Sequence, residues 1–535
     1  MLLIIKNYLQ TLKEKDELDL LLCDLLLQSG YILDSIPKTG SRQFGVDIQA
    51  HSKTELLLLV VKQGNIDRTV WSGGPNAVRQ SLDEIFDVSL RNLSPSDQKK
   101  KIRVIVATNG YLDEPAKLNW QGYQDAHQSW QEKKISFDFW GLDEIASQVR
   151  DKMFSERLFP KELQALFRKA LYFAEEPDYK PGFFEQIVDA YIDKLPAGFS
   201  SREKRQAQKT LSGLMLGAQM IAQYAADVRR YRIAVAVFEY VIIRLWKWML
   251  QNDGMGKPLY SEWIIRFYKK YEEWCWRYFD AVKSCCAQPG AFPAYADIVE
   301  QKVQMYEMVG LLSSFAFGES FIDPSKANRV LEAVLQLINN YPQFYYPPYD
   351  DNIAQITVLC RALIHCGRRE DAVAVMNNFA YLVSAWYQLT KKHPSPADTF
   401  RDALDIELGN EHEEYSTSVF WGFLLLWIAV LKDQNTYDAV KSFLKNDLKD
   451  VTKCIWIMRA DEELSLYDPG AMICAGDGIT MHPDDDFGSF QKEVEYILRQ
   501  YQEERFSFDT YSFPALEMIL SHYYGILPRV IADGE

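Results

Sequence analysis

Along the first 155 residues the spacing of apolar positions switches repeatedly between helical and extended periods. Residues 2–29 carry leucines at 18, 21, 22, 25 and 26, a wide apolar face at helical spacing, and Ser29-Gly30 closes the segment. Residues 31–36 then read as a short strand, with a turn over Pro37-Lys38-Thr39-Gly40. Two more strands follow at 44–50 and 56–62, the second apolar on both faces as a buried central strand should be. Residues 64–76 form a polar loop, and Pro75 takes the first position of a helix running to about 90. Residues 102–108 are a further buried strand, 114–133 a helix, 135–140 a strand, and 141 onward a last helix. This alternation predicts a three-layer α/β domain with a mixed sheet over residues 1–155.

Beyond residue 155 the extended period disappears. One amphipathic segment follows another, including 161–175, 183–194, 202–250, 258–284, 292–316, 325–340, 350–367 and 369–390, with more to residue 525. No fixed repeat length emerges. The expectation is an all-α region over 156–535, a solenoid or bundle with a sub-boundary near 320, broken only at the Gly- and Asp-rich stretch 466–489.

Composition adds three constraints. Of the 535 residues, 48% are hydrophobic and 25% charged, as in ordinary soluble globular chains. The most apolar window, 231–250, carries Arg232, Glu239, Arg244 and Lys247, which argues against a bilayer span. Eight cysteines without close regular spacing, and no C-x-x-C, suit neither a disulfide scaffold nor a zinc site and point to a reducing cytoplasm. The net charge of −15 is unevenly spread: residues 1–159 hold 20 Lys+Arg against 22 Asp+Glu, the rest 39 against 52. Phosphate contacts need positive charge, so any nucleic acid belongs on the amino-terminal domain, and the acidic helical region suits a protein partner or self-association.

The candidate chemistry lies on the two adjacent strands. Gly45-Val46-Asp47-Ile48 brings an acid near the end of one strand, and Val60-Val61-Lys62-Gln63 brings a lysine near the end of the next. Neighbouring strands let Asp47 and Lys62 converge although fourteen positions separate them. A lysine closing the run Leu56 to Val61 needs a partner or must snorkel, and Asp47 is such a partner; a plain ion pair is the competing reading. The order helix, Gly30-Tyr31, strand, Thr39-Gly40, Gly45-Val46-Asp47, strand, Lys62-Gln63 resembles the PD-(D/E)xK nuclease superfamily, and within it the Mrr-like restriction endonucleases. The stretches 104–109 and 139–145 look like the closing strand and terminal helix of such domains, so the resemblance covers about 1–150. It implies a restriction-endonuclease-like fold in which Asp47 is a ligand to Mg²⁺ or Mn²⁺, Lys62 the catalytic lysine and Gln63 a neighbour of the scissile phosphate.

One departure stands out. The family pattern places Glu, Asp or Gln two residues before the lysine, and that position here is Val60. A second acid has to come from elsewhere: Glu17 or Asp19 on the first helix, or Asp83 or Glu84 after the lysine strand, with Glu17 taken as the metal ligand. Arg68 and Arg79 are candidate contacts to a nucleic-acid backbone; the lysine run 99–101 reads as solvated loop. Ser72-Gly73-Gly74-Pro75 reads as a turn, His482 to Asp486 as a solvated acidic loop, and Phe344 to Tyr349 as helix packing. The expected function is a Mg²⁺-dependent DNA endonuclease recruited or regulated through its helical region. By analogy of domain arrangement, that would suit bacterial anti-phage defence. The alternative is a degenerate nuclease fold acting as a binding adaptor, which Val60 favours.

Overall fold

The computed structural model describes the chain apart from residues 1, 36–44, 75, 131–132, 154–160, 176–180, 294–297, 393, 395–403, 406–407, 409–415, 469–475, 484–485, 503–504 and 531–535. Thr39-Gly40, Phe44 and Pro75 of the sequence reading therefore lie outside the described residues. The chain divides into two compact units, Met1–Val237 and Phe238–Glu535.

The first unit is built on a mixed sheet in the order β1-β2-β3-β4-β6-β5. Strands β1 (Ile32–Ser35), β2 (Ile48–His51) and β3 (Glu55–Lys62) form an antiparallel meander. Strands β4 (Lys101–Thr108) and β6 (Lys133–Trp140) continue it in parallel, and β5 (Ser129–Trp130) adds a two-residue edge. A run such as Leu56 to Val61 is buried on both faces because helices cover both sides of the parallel part. One cover holds α3 (Arg68–Ser72), α4 (Val78–Glu84) and α5 (Glu114–Ala126), whose Trp71, Val78, Leu82, Trp120 and Tyr123 pack on Leu58, Val60, Val104 and Val106. The rings of Trp71 and Trp120 meet edge to face at 6.1 Å. The region read as a polar loop thus contains α3, opened by Asp67, whose carboxylate accepts the Val70 N–H. The helix read over 114–133 ends instead at Ala126.

Helices α1 (Leu2–Thr11) and α2 (Asp19–Gln28) replace the single helix read over 2–29. Between them Lys15 is extended and Asp16 left-handed (φ 64°), so the chain kinks within the acidic segment. Helices α6 (Leu142–Gln148), α7 (Lys161–Phe173), α8 (Gly182–Ile192) and α9 (Ser201–Asp227) complete the unit. Helix α9 packs on α1 and α2, where the Gln28 Nε2 donates to the Lys209 carbonyl at 2.6 Å. The amino-terminal body therefore takes in the first helices of the region expected to begin at 156.

The second unit follows α10 (Tyr231–Gln251), which spans the division. Its long helices are α11 (Pro258–Ala287), α12 (Ile298–Ser320), α13 (Pro324–Asn340), α14 (Ile353–His365) and α15 (Arg369–Thr390). The expectation that strands cease after 155 fails here. β7 (Thr417–Ser418), β8 (Thr452–Met458) and β9 (Gly476–Thr480) form a second small sheet, and β9 lies inside the stretch read as a break. Helix α16 (Val419–Leu431) is buried from Phe420 to Leu431 and lies on β8. Gly422 permits that approach, since a Cβ there would meet the Cys454 carbonyl oxygen at 2.0 Å. The remaining helices are α17 (Gln434–Asn446), α18 (Phe487–Gln502), α19 (Ser507–Thr510) and α20 (Ala515–Tyr524). No described helix is long and apolar enough to cross a membrane.

A buried ion cluster ties α14 to α20. Glu517 meets Arg361 at 2.8 Å and Arg529 at 3.0 Å, and Arg529 also meets Asp509 at 2.8 Å. Burial alone would push the Glu517 carboxyl up, but the charges of Arg361 and Arg529 and their hydrogen bonds outweigh it and hold the group at about 2. A depressed carboxylate stabilises the fold above its ordinary value of 4.5, and that contribution is lost as pH falls toward 2. Glu517→Gln should therefore lower the stability of the second unit at neutral pH by about 3–5 kcal/mol, because Arg361 loses its counter-charge and Arg529 keeps only that of Asp509. Chemical denaturation across this acid range should also show a weaker pH dependence in the variant than in the wild type.

Candidate active site

Asp47 precedes β2, and its backbone N–H bonds the Leu59 carbonyl at 2.9 Å, which fixes it beside the end of β3. Gly45 makes this approach feasible. It sits at φ +81°, and a Cβ there would meet the Ser81 carbonyl oxygen of α4 at 2.1 Å. The Asp47 Oδ2 accepts the Val61 N–H at 2.7 Å. Burial, foremost, pushes the Asp47 carboxyl above its usual range; the Val61 N–H and the charge of Lys62 pull it down, and Glu14 and Asp19 push it up further.

Lys62 ends β3, half-buried, and among the described residues its ammonium has no ion-pair or hydrogen-bond partner. The plain ion-pair reading is thus not what the geometry shows: Lys62 acts on Asp47 through charge, without contact. Gln63 follows it and is exposed. Val60 is fully buried in the core with Val104, Val78 and Leu82. The strand position where the resemblance would place an acid is committed to packing, and a carboxylate there would be desolvated without a partner.

Acids arrive instead from the kinked segment before α2. Asp19 is only 4% exposed. Burial raises its carboxyl first, the backbone N–H groups of Asp16 and Leu20 lower it, and the charges of Asp16 and Glu14 raise it again. Glu17, the expected second ligand, uses its Oε2 to accept the Lys13 N–H at 2.8 Å, a bond that closes the turn. Asp83 accepts from the Tyr123 hydroxyl at 3.0 Å and lies 4.0 Å from Arg79, so it serves the α4–α5 packing. Glu84 lies against Gly45. The acids whose charges bear most on Asp47 are Glu14 and Asp19.

The residue that sequence reasoning missed is Asn109. Only 3% exposed, it donates both amide protons, to the Leu9 carbonyl at 2.9 Å and the Leu12 carbonyl at 2.8 Å. Its Oδ1 accepts the Gly64 N–H at 2.7 Å, and Thr108 Oγ1 donates to the Gly64 carbonyl at 2.5 Å. The end of β4 therefore fastens both the end of α1, which leads into the acidic kink, and the loop after Lys62. The dipeptide Asn109-Gly110 after a buried strand was the available signal, but it read only as a strand end.

Could this set hold a metal? Among the described residues no three His, Cys, Asp or Glu side chains come together as a ready-made cage. Mg²⁺ needs less, since one or two carboxylates suffice when phosphate oxygens and water complete the octahedron. Asp47 is half-buried and Asp19 buried, and each feels the charge of neighbouring acids, a repulsion that a cation would offset.

The other sequence candidates have structural uses or lie at the surface. Arg68 and Arg79 are exposed on α3 and α4. Lys100 pairs with Asp97 at 2.8 Å. Asp486 accepts the Ser489 N–H as a helix cap, while residues 484–485 lie outside the described residues. Phe344 stacks on Tyr306 at 4.5 Å in the helical core. With that geometry in view, comparison with known proteins adds nothing to it. No family model, no curated protein and no solved structure matches the chain.

Asn109→Ala should leave the Leu12 carbonyl and the Gly64 N–H without their Asn109 partner, and the Leu9 carbonyl with the Leu12 N–H alone, at a cost of about 2–4 kcal/mol. Urea unfolding followed by amide exchange should show that loss, with protection falling first at residues 9–19 and 63–65. A variant as stable as wild type, with unchanged exchange there, would show that the clamp does not hold these segments.

Proposed function

We propose that the amino-terminal unit hydrolyses phosphodiester bonds in DNA with Mg²⁺ or Mn²⁺. The observation that carries this reading is the gathering of Asp47, Asp19 and Glu14 around the end of β3, next to Lys62, whose ammonium has no partner among the described residues. Negative charge gathered at a half-buried place beside an ammonium suits a site that takes a cation and a phosphate together. Asp47 and Asp19 would hold the metal, with Asp19 preferred to Glu17 because Glu17 closes its own turn. When bound, the metal would supply charge neutralisation at the phosphate and an acidified water. Lys62 would face the non-bridging phosphate oxygens and stabilise the negative charge that builds there, and exposed Gln63 would orient the same phosphate. Arg68 and Arg79, exposed on α3 and α4, would contact the backbone on either side. The acidic second unit would recruit or restrain the nuclease through a protein partner, in a role such as anti-phage defence.

Val60 supports a second reading. Its complete burial means that the strand position for an acid is closed to catalysis, as in an adaptor that keeps only the fold. Plasmid and oligonucleotide cleavage with Mn²⁺ separates the two. Asp47→Ala, Lys62→Ala and Asp19→Asn should each reduce cleavage by about a hundredfold or more, while Glu17→Gln retains most of it. Cleavage that survives Asp47→Ala and Lys62→Ala would overturn the assignment. Equal loss in Glu17→Gln and none in Asp19→Asn would return the second ligand to Glu17.

A further inference from the structure

The second unit contains a cavity of about 340 Å³ with no part in the chemistry proposed above. Helix α16 lines it with Phe423 and Leu426, α18 with Leu498, and the chain beyond α20 with Leu527. All four side chains belong to the buried core, so the cavity is a recess in packed structure. An apolar recess of this size with a few convergent polar groups has the form of an ordinary small-molecule site.

The charges on the wall select the guest. Four ionisable side chains line the cavity: Tyr501, Arg505, Asp509 and Arg529. Three of them are committed. The Tyr501 hydroxyl donates to the Asp477 Oδ2 at 3.2 Å. Both Asp509 oxygens accept from Arg529, whose Nη1 and Nη2 donate to them at 2.8 Å each. Arg529 also donates to Glu517, through Nε at 3.3 Å and Nη2 at 3.0 Å. The bidentate Asp509–Arg529 pair therefore brings opposite charges that cancel, and it presents neither a free cation nor a free carboxylate. Arg505 differs. It is exposed, and among the described residues its guanidinium makes no hydrogen bond or ion pair. The one ionisable wall group still uncommitted is thus a cation on a long, untethered stem.

We infer that this cavity binds a small amphipathic carboxylate, with its hydrocarbon body against Phe423, Leu426 and Leu498 and its carboxylate accepting from the Arg505 guanidinium. A guanidinium offers two parallel N–H donors that match a carboxylate. An amine would bring its positive charge to Arg505 and find the Asp509 oxygens already holding Arg529. A neutral guest would gain the apolar contacts alone.

Titration calorimetry on the full chain tests this with octanoate, octanol and octylammonium, each below its micelle concentration. Octanoate should bind at one site per chain, about fivefold or more tighter than octanol and about tenfold or more tighter than octylammonium. Arg505→Gln, a change at an exposed side chain, should abolish the preference for the acid over the alcohol while octanol still binds. Leu498→Trp, which fills the apolar wall, should abolish binding of both; circular dichroism confirms that each variant is folded. Absence of binding by octanoate, equal affinity for the three probes, or unchanged octanoate affinity in folded Arg505→Gln would each overturn the proposal.

Discussion

Asn109 gives both of its amide protons to carbonyls at the end of α1 and takes the amide proton of Gly64. A buried primary amide with every position used this way is worth more than three separate surface bonds, because the Leu12 carbonyl and the Gly64 N–H depend on it for their partner. Gly110, next in sequence, lets the two loops touch, since a Cβ there would lie 2.3 Å from the Gly64 backbone. The consequence reaches beyond stability. The carbonyls held by Asn109 belong to the residues just before the acidic kink, and Gly64 lies two residues after Lys62. One side chain at the end of β4 therefore sets where the acids and the lysine stand relative to Asp47.

Much of this was legible in the sequence, and the failures have physical causes. The alternation of periods correctly foretold a mixed sheet, with Leu56 to Val61 as its central strand. The register of two antiparallel strands was enough to bring Asp47 toward the end of β3. The kink was hidden: leucine spacing ran smoothly from one helix into the next, and nothing in Lys15-Asp16 announced a left-handed residue. On a continuous helix Glu17 looked as available as Asp19; with the kink, Glu17 closes the turn and Asp19 is buried. Val60 stood out as the departure from the acid pattern, but its burial under α4 and α5 required the fold.

In the second unit the missed strands follow from a different rule. Helix α16 is apolar on all sides, and β8 pairs with β9 over a stretch whose Gly and Asp content reads as loop. Burial against another element, as at Gly422 on Cys454, decided the structure where local propensity did not. The Glu517 cluster was likewise invisible, because Arg361, Asp509, Glu517 and Arg529 are scattered over 169 positions of sequence and become neighbours only when α14 and α20 pack. The two units thus rest on different polar devices, a neutral amide clamp in one and a desolvated ion cluster in the other.

The central claim is that Asp47 and Asp19 share one divalent cation beside Lys62. Titration of the full chain with Mn²⁺, followed by electron paramagnetic resonance, counts bound ions directly and requires no substrate or activating partner. One bound Mn²⁺ per chain, lost in Asp47→Asn and in Asp19→Asn but kept in Glu17→Gln, is the predicted result. Mn²⁺ binding of the same stoichiometry and affinity in wild type and in both aspartate variants would contradict it.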